Sequence, residues 1–355
     1  MYGPFQKAKG VLRGGAALLL ALLLCGAAPF GTSGVTALAA GGETSARMLV
    51  PVGHTVGIKL FARGVLVVKL TDGGTPARDC GLQTGDVIVK CGRTSVTSTE
   101  QFQSLLQENG GDATDLQIRR DGESMTLSVS PQQNEQGQYA IGAWIRDSMA
   151  GIGTMTYYDP ETGAFGALGH GITDVDTAQL MPFSSGSILP STVKAVKKGA
   201  SGEAGELRGD FDLTTDLGTL SANTAAGIFG TVENDDFTEQ LNQALPVAEA
   251  SEVRTGPAVI LSNVEGDVVE EYDVEILQIV EGSSDGRDLV ISVTDPDLIA
   301  ATGGIVQGMS GSPILQDGKF VGAVTHVLLS DPTKGYGILM ETMLKAGEIA
   351  EEPVA

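Results

Sequence analysis

The chain has 355 residues, of which 42% are hydrophobic, and a formal net charge of −22 at pH 7. This length favours two or more domains with packed cores, and 49 glycines with a single tryptophan favour β-structure with many tight turns. The acidic balance argues against a nucleic-acid partner, because phosphate binding needs a basic surface.

Residues 1–40 are predicted to be a targeting segment rather than part of a folded domain. Three basic residues, Lys7, Lys9 and Arg13, precede an apolar run over residues 14–28, which is the order typical of an export signal. Ala-Leu-Ala at 37–39 supplies a small-x-small cleavage site. Left uncleaved, the same run would act as a membrane anchor, although about 15 apolar residues are short for a span.

Residues 48–131 are predicted to form the first folded domain. The predicted strands lie at 65–70, 87–90, 116–119 and 125–129. A short helical turn is predicted at 77–82 and a longer helix at 99–109, where Phe102, Leu105 and Leu106 recur at helical spacing.

This order of elements, and the run PARDCGLQTGDVI at 76–88, resemble a PDZ domain. Such domains bind extended peptides by adding a strand to a sheet edge. The resemblance places the carboxylate-binding loop, and hence peptide binding, on Thr55, Val56, Gly57 and Ile58. The alternative is a spacer that folds but no longer binds peptide.

Residues 138–345, after a polar linker at 131–138, are predicted to form a second, all-β domain. Short β-like runs separated by turn signals favour a closed barrel or a sandwich. A single short helix or a loop excursion is predicted at 238–245. The predicted strands are 141–145, 153–158, 193–196, 258–261, 272–280 and 288–293.

A glycine-flanked serine in this domain, Ser310 of GMSGSP at 308–313, is a candidate nucleophile. Glycines permit backbone angles that leave the N–H groups of Gly308 and Ser310 free to form an oxyanion hole. An apolar run, an Asp-Gly turn and a second apolar run follow, and they predict a hairpin. Ser312 is a rival nucleophile. The alternative for the whole motif is a Gly/Ser-rich turn between two strands that has no catalytic role.

His170, between two glycines, is the candidate general base. Asp295, which ends a β-run and precedes a proline, is a candidate for the acid that would fix the histidine tautomer. Four other carboxylates remain open for that role: Asp174, Asp176, Asp210 and Asp212. The sequence has no Cys/His cluster, so it predicts no metal site.

GHGITD at 169–174 and GMSGSP at 308–313, with the export segment and the PDZ domain, resemble the SpoIVB peptidases, which are sporulation serine proteases. The serine loop and its hairpin also resemble those of chymotrypsin-like proteases. The resemblance implies a chymotrypsin-like all-β catalytic domain that needs no cofactor. In it His170 would be the base, Asp295 the orienting acid and Ser310 the nucleophile, with Gly308 and Ser310 as oxyanion donors.

The resemblance further implies a signalling protease of an endospore-forming bacterium, exported or anchored between the forespore and mother-cell membranes. There it would cleave a membrane-bound regulator of the protease that activates sigma-K. The expected partners are a protein substrate at a membrane surface and a peptide or protein ligand of the PDZ domain. The alternatives are a catalytically inactive PDZ adaptor and an HtrA-like quality-control protease, in which the PDZ domain usually follows the protease.

Overall fold

The structure is a computed structural model that describes residues 46–351 except 281–282 and 284–285. The predicted export segment lies outside the described residues. All described residues belong to one compact unit of the chain. Among them, no helix has the length and hydrophobicity needed to cross a membrane.

Strands are the main secondary structure of this unit, as predicted. They are β1 (Met48–Pro51), β2 (Thr55–Leu70), β3 (Val87–Cys91), β4 (Thr94–Ser95), β5 (Thr114–Arg120), β6 (Glu123–Val129), β7 (Gln132–Gln133), β8 (Tyr139–Ala140), β9 (Ala143–Tyr158), β10 (Ala164–Ala167), β11 (Phe183–Lys197), β12 (Glu206–Phe211), β13 (Gly218–Thr224), β14 (Gly227–Val232), β15 (Leu245–Pro246), β16 (Gly256–Glu265), β17 (Val268–Ile279), β18 (Leu289–Val293), β19 (Pro313–Gln316), β20 (Lys319–Val327) and β21 (Lys334–Leu339). The α-helices are α1 (Pro76–Asp79), α2 (Thr99–Asn109), α3 (Asp235–Thr238), α4 (Pro296–Thr302) and α5 (Met340–Glu351).

Two barrels form the protease part. In the first, the strand order β9-β10-β14-β13-β11-β2 closes into a ring, because β2 also pairs with β9. The second is a closed barrel in the order β16-β17-β18-β21-β20-β19. Alternating apolar residues fill each barrel, including Val56, Ile58, Phe165 and Ile228 in the first and Ile260, Ile276, Ile291 and Val324 in the second.

The PDZ elements lie between β2 and β9. The second half of β2 pairs with β3, which pairs with β5, and α2 packs its buried Phe102 and Leu106 against this sheet. Helix α2 has the predicted bounds because Ser98 accepts the Gln101 N–H at its start and Gly110 ends it with a left-handed φ of 62°.

Strands β2 and β9 run through both the PDZ part and the first barrel. Phe61 pairs with Ser148 inside the barrel, and Leu70 pairs with Ala143 inside the PDZ part. The chain from Val50 to Ala62 therefore pairs with strands of the first barrel, through β9 and β11. The PDZ elements are an insertion between two adjacent strands of that barrel.

Some predicted elements differ from the observed ones. Residues 143–145 of the predicted strand 141–145 and the whole predicted strand 153–158 belong to one long strand, β9. The predicted short helix at 238–245 lies earlier, at Asp235–Thr238, because Asn234 rather than Thr238 caps it by accepting the Phe237 N–H.

Candidate active site

His170 lies in the turn that follows β10 of the first barrel. Leu168 and Gly169 both adopt left-handed backbone angles, with φ of 71° and 68°. A side chain at Gly169 would bring its Cβ within 2.8 Å of Thr325 Cγ2 in the second barrel. This close approach places His170 at the junction of the two barrels.

Ser310 lies in the loop before β19 of the second barrel. Gly308 and Gly311 both have a φ of 101°, and a Cβ at Gly311 would lie 2.1 Å from the Thr154 carbonyl oxygen. The predicted hairpin is confirmed: β19 and β20 pair across Asp317 and Gly318, whose positive φ values suit a two-residue turn. Gly308 and Gly311 thus adopt backbone angles that other residues rarely reach, as the sequence analysis expected.

Ser312, the rival nucleophile, is fully buried and shares a hydrogen bond of 3.1 Å with Ser262. Ser310 is half-buried, and its Oγ donates to the Thr325 carbonyl at 2.7 Å. Thr325 is a bulge residue of β20, since the pairing register shifts between Val324 and His326. The structure therefore presents Ser310, and not Ser312, to the cleft.

The backbone of the serine loop leaves two N–H groups available. Met309 and Gly311 donate to the carbonyls of Val306 and Val324. Neither the Gly308 N–H nor the Ser310 N–H donates to any described residue. These two groups can receive the negative charge that develops on a carbonyl oxygen during acyl transfer.

A cleft of about 390 Å³ between the barrels brings these groups together. Ser310, His170 and His326 all line it, and the ring centroids of the two histidines are 4.9 Å apart. The rest of the lining is mostly apolar and includes Ile58, Met149, Ile152, Leu168, Ile172, Ile305, Val306 and Val327. No Asp, Glu, Lys or Arg is among the described residues that line the cleft.

The tautomer of His170 follows from its one backbone contact. Nδ1 lies 2.9 Å from the Gly171 carbonyl oxygen, which can only accept, so Nδ1 carries the proton and Nε2 is left as an acceptor. Burial lowers the pKa of His170, and the hydrogen bond to Gly171 offsets part of this. His170 is therefore neutral in the form that a general base requires.

Asp295 does not reach this cleft, so the predicted orienting acid has to be corrected. It is the N-cap of α4, where its Oδ1 accepts the N–H groups of Asp297 and Leu298 at 2.9 Å. Its Oδ2 faces the Asp273 N–H at 3.4 Å. An aspartate before Pro296 thus ends up as a helix cap.

The other candidate aspartates are also engaged elsewhere. Asp174, fully buried, forms an ion pair with Arg146 and accepts two bonds from Thr177. Burial raises the pKa of Asp174, but these hydrogen bonds and the charge of Arg146 outweigh it and lower the pKa. Asp176 also pairs with Arg146, Asp212 binds Thr214, and Asp210 lies in β12. Among the described residues, none of these carboxylates lines the cleft.

The predicted peptide-binding residues also need correction. Thr55, Val56, Gly57 and Ile58 form the start of β2, with β9 paired on one side and β11 on the other. A Cβ at Gly57 would lie 2.6 Å from Phe211. With both strand edges occupied, no loop there can receive a terminal carboxylate.

A different groove, of about 340 Å³, lies between α2 and the start of β9. Phe102 and Leu106 of α2 face Ile141, Ala143 and Ile145 across it. Residues 143–145 pair with β2 on one edge only. The signal in the sequence was the apolar face of α2 followed by the apolar run at 140–145, which the sequence analysis assigned to the second domain.

Two further cleft features were not recognised from the sequence. Thr325 supplies the carbonyl that accepts the Ser310 hydroxyl, and its own Oγ1 is buried without a partner among the described residues. His326, near the end of the second hairpin strand, β20, lies beside His170. The sequence analysis assigned neither residue a role in the cleft; both lie where the pairing register of β20 shifts.

The fold and the candidate site have the arrangement expected of a serine protease with an inserted PDZ domain. A family model described as SpoIVB peptidase S55 matches residues 137–344, more than half of the chain. A PDZ domain model matches residues 67–120. The chain belongs to the SpoIVB peptidase family, as the sequence motifs indicated.

Curated relatives match over short stretches. The chain is 43% identical over 61 residues to the zinc metalloprotease RasP of Oceanobacillus iheyensis, covering 17% of this chain and 14% of that protein. It is 43% identical over 67 residues to the serine protease Do-like HtrA of Lactococcus lactis subsp. cremoris, covering 19% and 16%. The chain thus spans less than a fifth of these relatives.

Solved structures match more broadly but distantly. The Rv3671c protease of M. tuberculosis in its active form has a TM-score of 0.32 and 15% identity, over 58% of this chain and 78% of that one. The HtrA-type protease AlgW with a decapeptide has a TM-score of 0.37 and 10% identity, over 85% and 65%. The family assignment rests on the family match alone.

Proposed function

We propose that this chain is a serine endopeptidase in which Ser310 is the nucleophile and His170 the general base. The observation that carries the proposal is that Ser310, His170 and two available N–H groups meet in one cleft. Attack requires the Ser310 hydroxyl to leave the Thr325 carbonyl and donate to His170 Nε2. That change requires a rotation about the Cα–Cβ bond of Ser310.

The reaction then follows the general acyl-transfer sequence. His170 takes the Oγ proton as Oγ attacks the scissile carbonyl carbon, and the Gly308 and Ser310 N–H groups receive the oxyanion. The imidazolium returns the proton to the leaving amine, and a water activated by the same histidine releases the acyl group. The Gly171 carbonyl accepts the hydrogen bond from His170 Nδ1–H. In a complete Ser-His-Asp triad, a carboxylate accepts that bond.

The lining of the cleft supports a substrate class. Its walls are apolar and, among the described residues, uncharged. A charged side chain would lose its hydration there without gaining a partner. The proposed substrates therefore carry an apolar side chain next to the scissile bond.

The groove between α2 and β9 is the proposed site for a second peptide segment. An extended peptide can add to the open edge of β9 and place its side chains in the groove between β9 and α2. Such a contact would hold a substrate protein or a regulatory partner near the cleft.

Family membership supports the biological setting that we propose. The protease acts outside the cytoplasm, exported or held at a membrane, and it cleaves a membrane-bound regulator during sporulation to trigger sigma-K activation. Cleavage of that regulator when it is co-expressed with the parent chain, and not with Ser310→Ala, would support this substrate. Equal cleavage of unrelated unfolded proteins would favour a quality-control role instead.

Labelling with a fluorophosphonate probe tests the catalytic assignment directly. We expect the full chain to be labelled, Ser310→Ala and His170→Ala to lose labelling, and Ser312→Ala to retain it. Ser312→Ala is the matched control, because it removes a buried hydroxyl from the same loop. Undiminished labelling of Ser310→Ala would contradict the assignment.

A further inference from the structure

Thr154 of β9 contacts both halves of the candidate site, although it does not line the cleft. It is fully buried, and its Oγ1 donates to the Gly308 carbonyl at 2.7 Å. Its backbone N–H donates to the Ser310 carbonyl at 3.0 Å, and its carbonyl accepts the Leu168 N–H at 3.1 Å. One residue of the first barrel is thus bonded to the serine loop and to the turn that carries His170.

The serine loop needs such contacts because its glycines leave it free to change shape. Gly308, at a φ of 101°, has access to backbone angles that other residues lack. The Leu207 N–H holds the Gln307 carbonyl at 2.8 Å and so orients the peptide that carries the Gly308 N–H. Thr154 holds the next carbonyl, on Gly308, and the one on Ser310. The Ser310 N–H lies in the peptide between those two fixed carbonyls.

We propose that Thr154 is a positioning residue of the oxyanion hole. Its hydroxyl holds the Gly308 carbonyl, so that the Ser310 N–H and the Ser310 hydroxyl keep the orientation needed for acyl transfer. This inference rests on the proposed function, because the hole matters only if Ser310 is the nucleophile. Thr154 touches neither substrate nor reacting atoms in this scheme and acts through the loop.

The same strand supplies a matched control. Thr156 is also fully buried in β9, but its Oγ1 has no hydrogen-bond partner among the described residues. Thr154→Val and Thr156→Val each replace one buried hydroxyl by a methyl group of similar size. Only the first removes a bond to the serine loop, and Thr154→Ser restores that bond.

The experiment measures the rate at which a fluorophosphonate inactivates the full chain at increasing probe concentrations. This gives the maximal inactivation rate and, separately, the probe concentration at half saturation. The phosphonyl oxygen of the probe occupies the oxyanion hole as it reacts. We expect Thr154→Val to lower the maximal rate about 10- to 100-fold, the effect of a misplaced catalytic group. The half-saturating concentration should stay within about twofold, since ground-state binding is not altered.

Thr156→Val should react at the rate of the parent chain, and Thr154→Ser should recover most of that rate. Equal rates for Thr154→Val and Thr156→Val would overturn the positioning role, as would a Thr154→Ser variant as slow as Thr154→Val. A parent chain that the probe does not label would overturn the proposed function and this inference with it. Thermal melting gives the folded fraction of each variant, and every inactivation rate is divided by that fraction. A difference that remains after this correction reflects positioning and not a loss of stability.

Discussion

His170 determines the pH dependence of the proposed reaction. Burial lowers its pKa from the ordinary value of 6.5, and a general base works only when it is neutral. The neutral form therefore persists to more acidic pH than for an exposed histidine. We expect the acid limb of kcat/KM, or of the fluorophosphonate inactivation rate, to have its midpoint below pH 6.5. A midpoint above 6.5 would instead indicate a carboxylate beside the ring, because an anion raises the pKa of a histidine.

Asp295 provides a second test, since two roles for it predict opposite outcomes. Asparagine caps a helix about as well as aspartate, so Asp295→Asn should leave activity within about threefold if the residue only caps α4. An orienting acid replaced by its amide would cost about 10⁴ in kcat. Asp295→Ala should lower the free energy of unfolding by about 0.5–2 kcal/mol, measured by urea titration. A folded but inactive Asp295→Asn protein would restore the triad role.

The same residue shows which parts of the site the sequence could predict. Ser310 and the glycines around it were recognisable because their chemistry depends on local backbone geometry. His170 was recognisable because the chain has only three histidines and this one lies between two glycines. An aspartate before a proline, by contrast, is both a helix-cap signal and a candidate acid, and only its distance from His170 separates the two. Thr154 left no signal in the sequence, because its partners in the serine loop, Gly308 and Ser310, lie more than 150 residues further along the chain.

The elements show a similar division between local and distant information. Helix α2 and the hairpin of β19 and β20 were predicted because caps, apolar spacing and the Asp-Gly turn lie within each element. The start of β2 was interpreted as a loop, because its pairing with β11 joins residues more than 100 positions apart, such as Val56 and Pro190. Periodicity indicates that a segment is a strand, but not which strands will lie beside it.

Strand β9 joins functions that the sequence analysis had assigned to separate domains. It starts at the groove beside α2 with Ala143 and Ile145, passes the cleft at Met149 and Ile152, and reaches the serine loop at Thr154. Asp147, between groove and cleft, accepts the Thr99 N–H at 2.7 Å and so ties the start of α2 to the same strand. One strand, β9, thus lines the groove beside α2 and is hydrogen-bonded to the serine loop.

The molecule as a whole therefore cannot be divided at the linker before residue 138. A chain that starts at 138 lacks β1 and β2, and with them Val56 and Ile58 of the first barrel core and the strand between β9 and β11. An alternative deletion replaces residues 62–147 by Asn-Gly, since the paired Phe61 and Ser148 suit a two-residue hairpin turn. It keeps every strand of both barrels.

We expect the internal deletion to fold and to retain Ser310-dependent fluorophosphonate labelling, and the 138–355 fragment to do neither. The internal deletion should melt at a lower temperature than the parent chain, because Leu60 and Met181 lose the contacts they make with Leu66 and Val87. Circular dichroism melting tests whether each variant folds and at what temperature it unfolds, and fluorophosphonate labelling tests whether Ser310 reacts. A folded, labelled 138–355 fragment would show that the catalytic domain does not need the strands that precede the PDZ elements. The barrel would then have to close with other strand pairs than those between β2, β9 and β11.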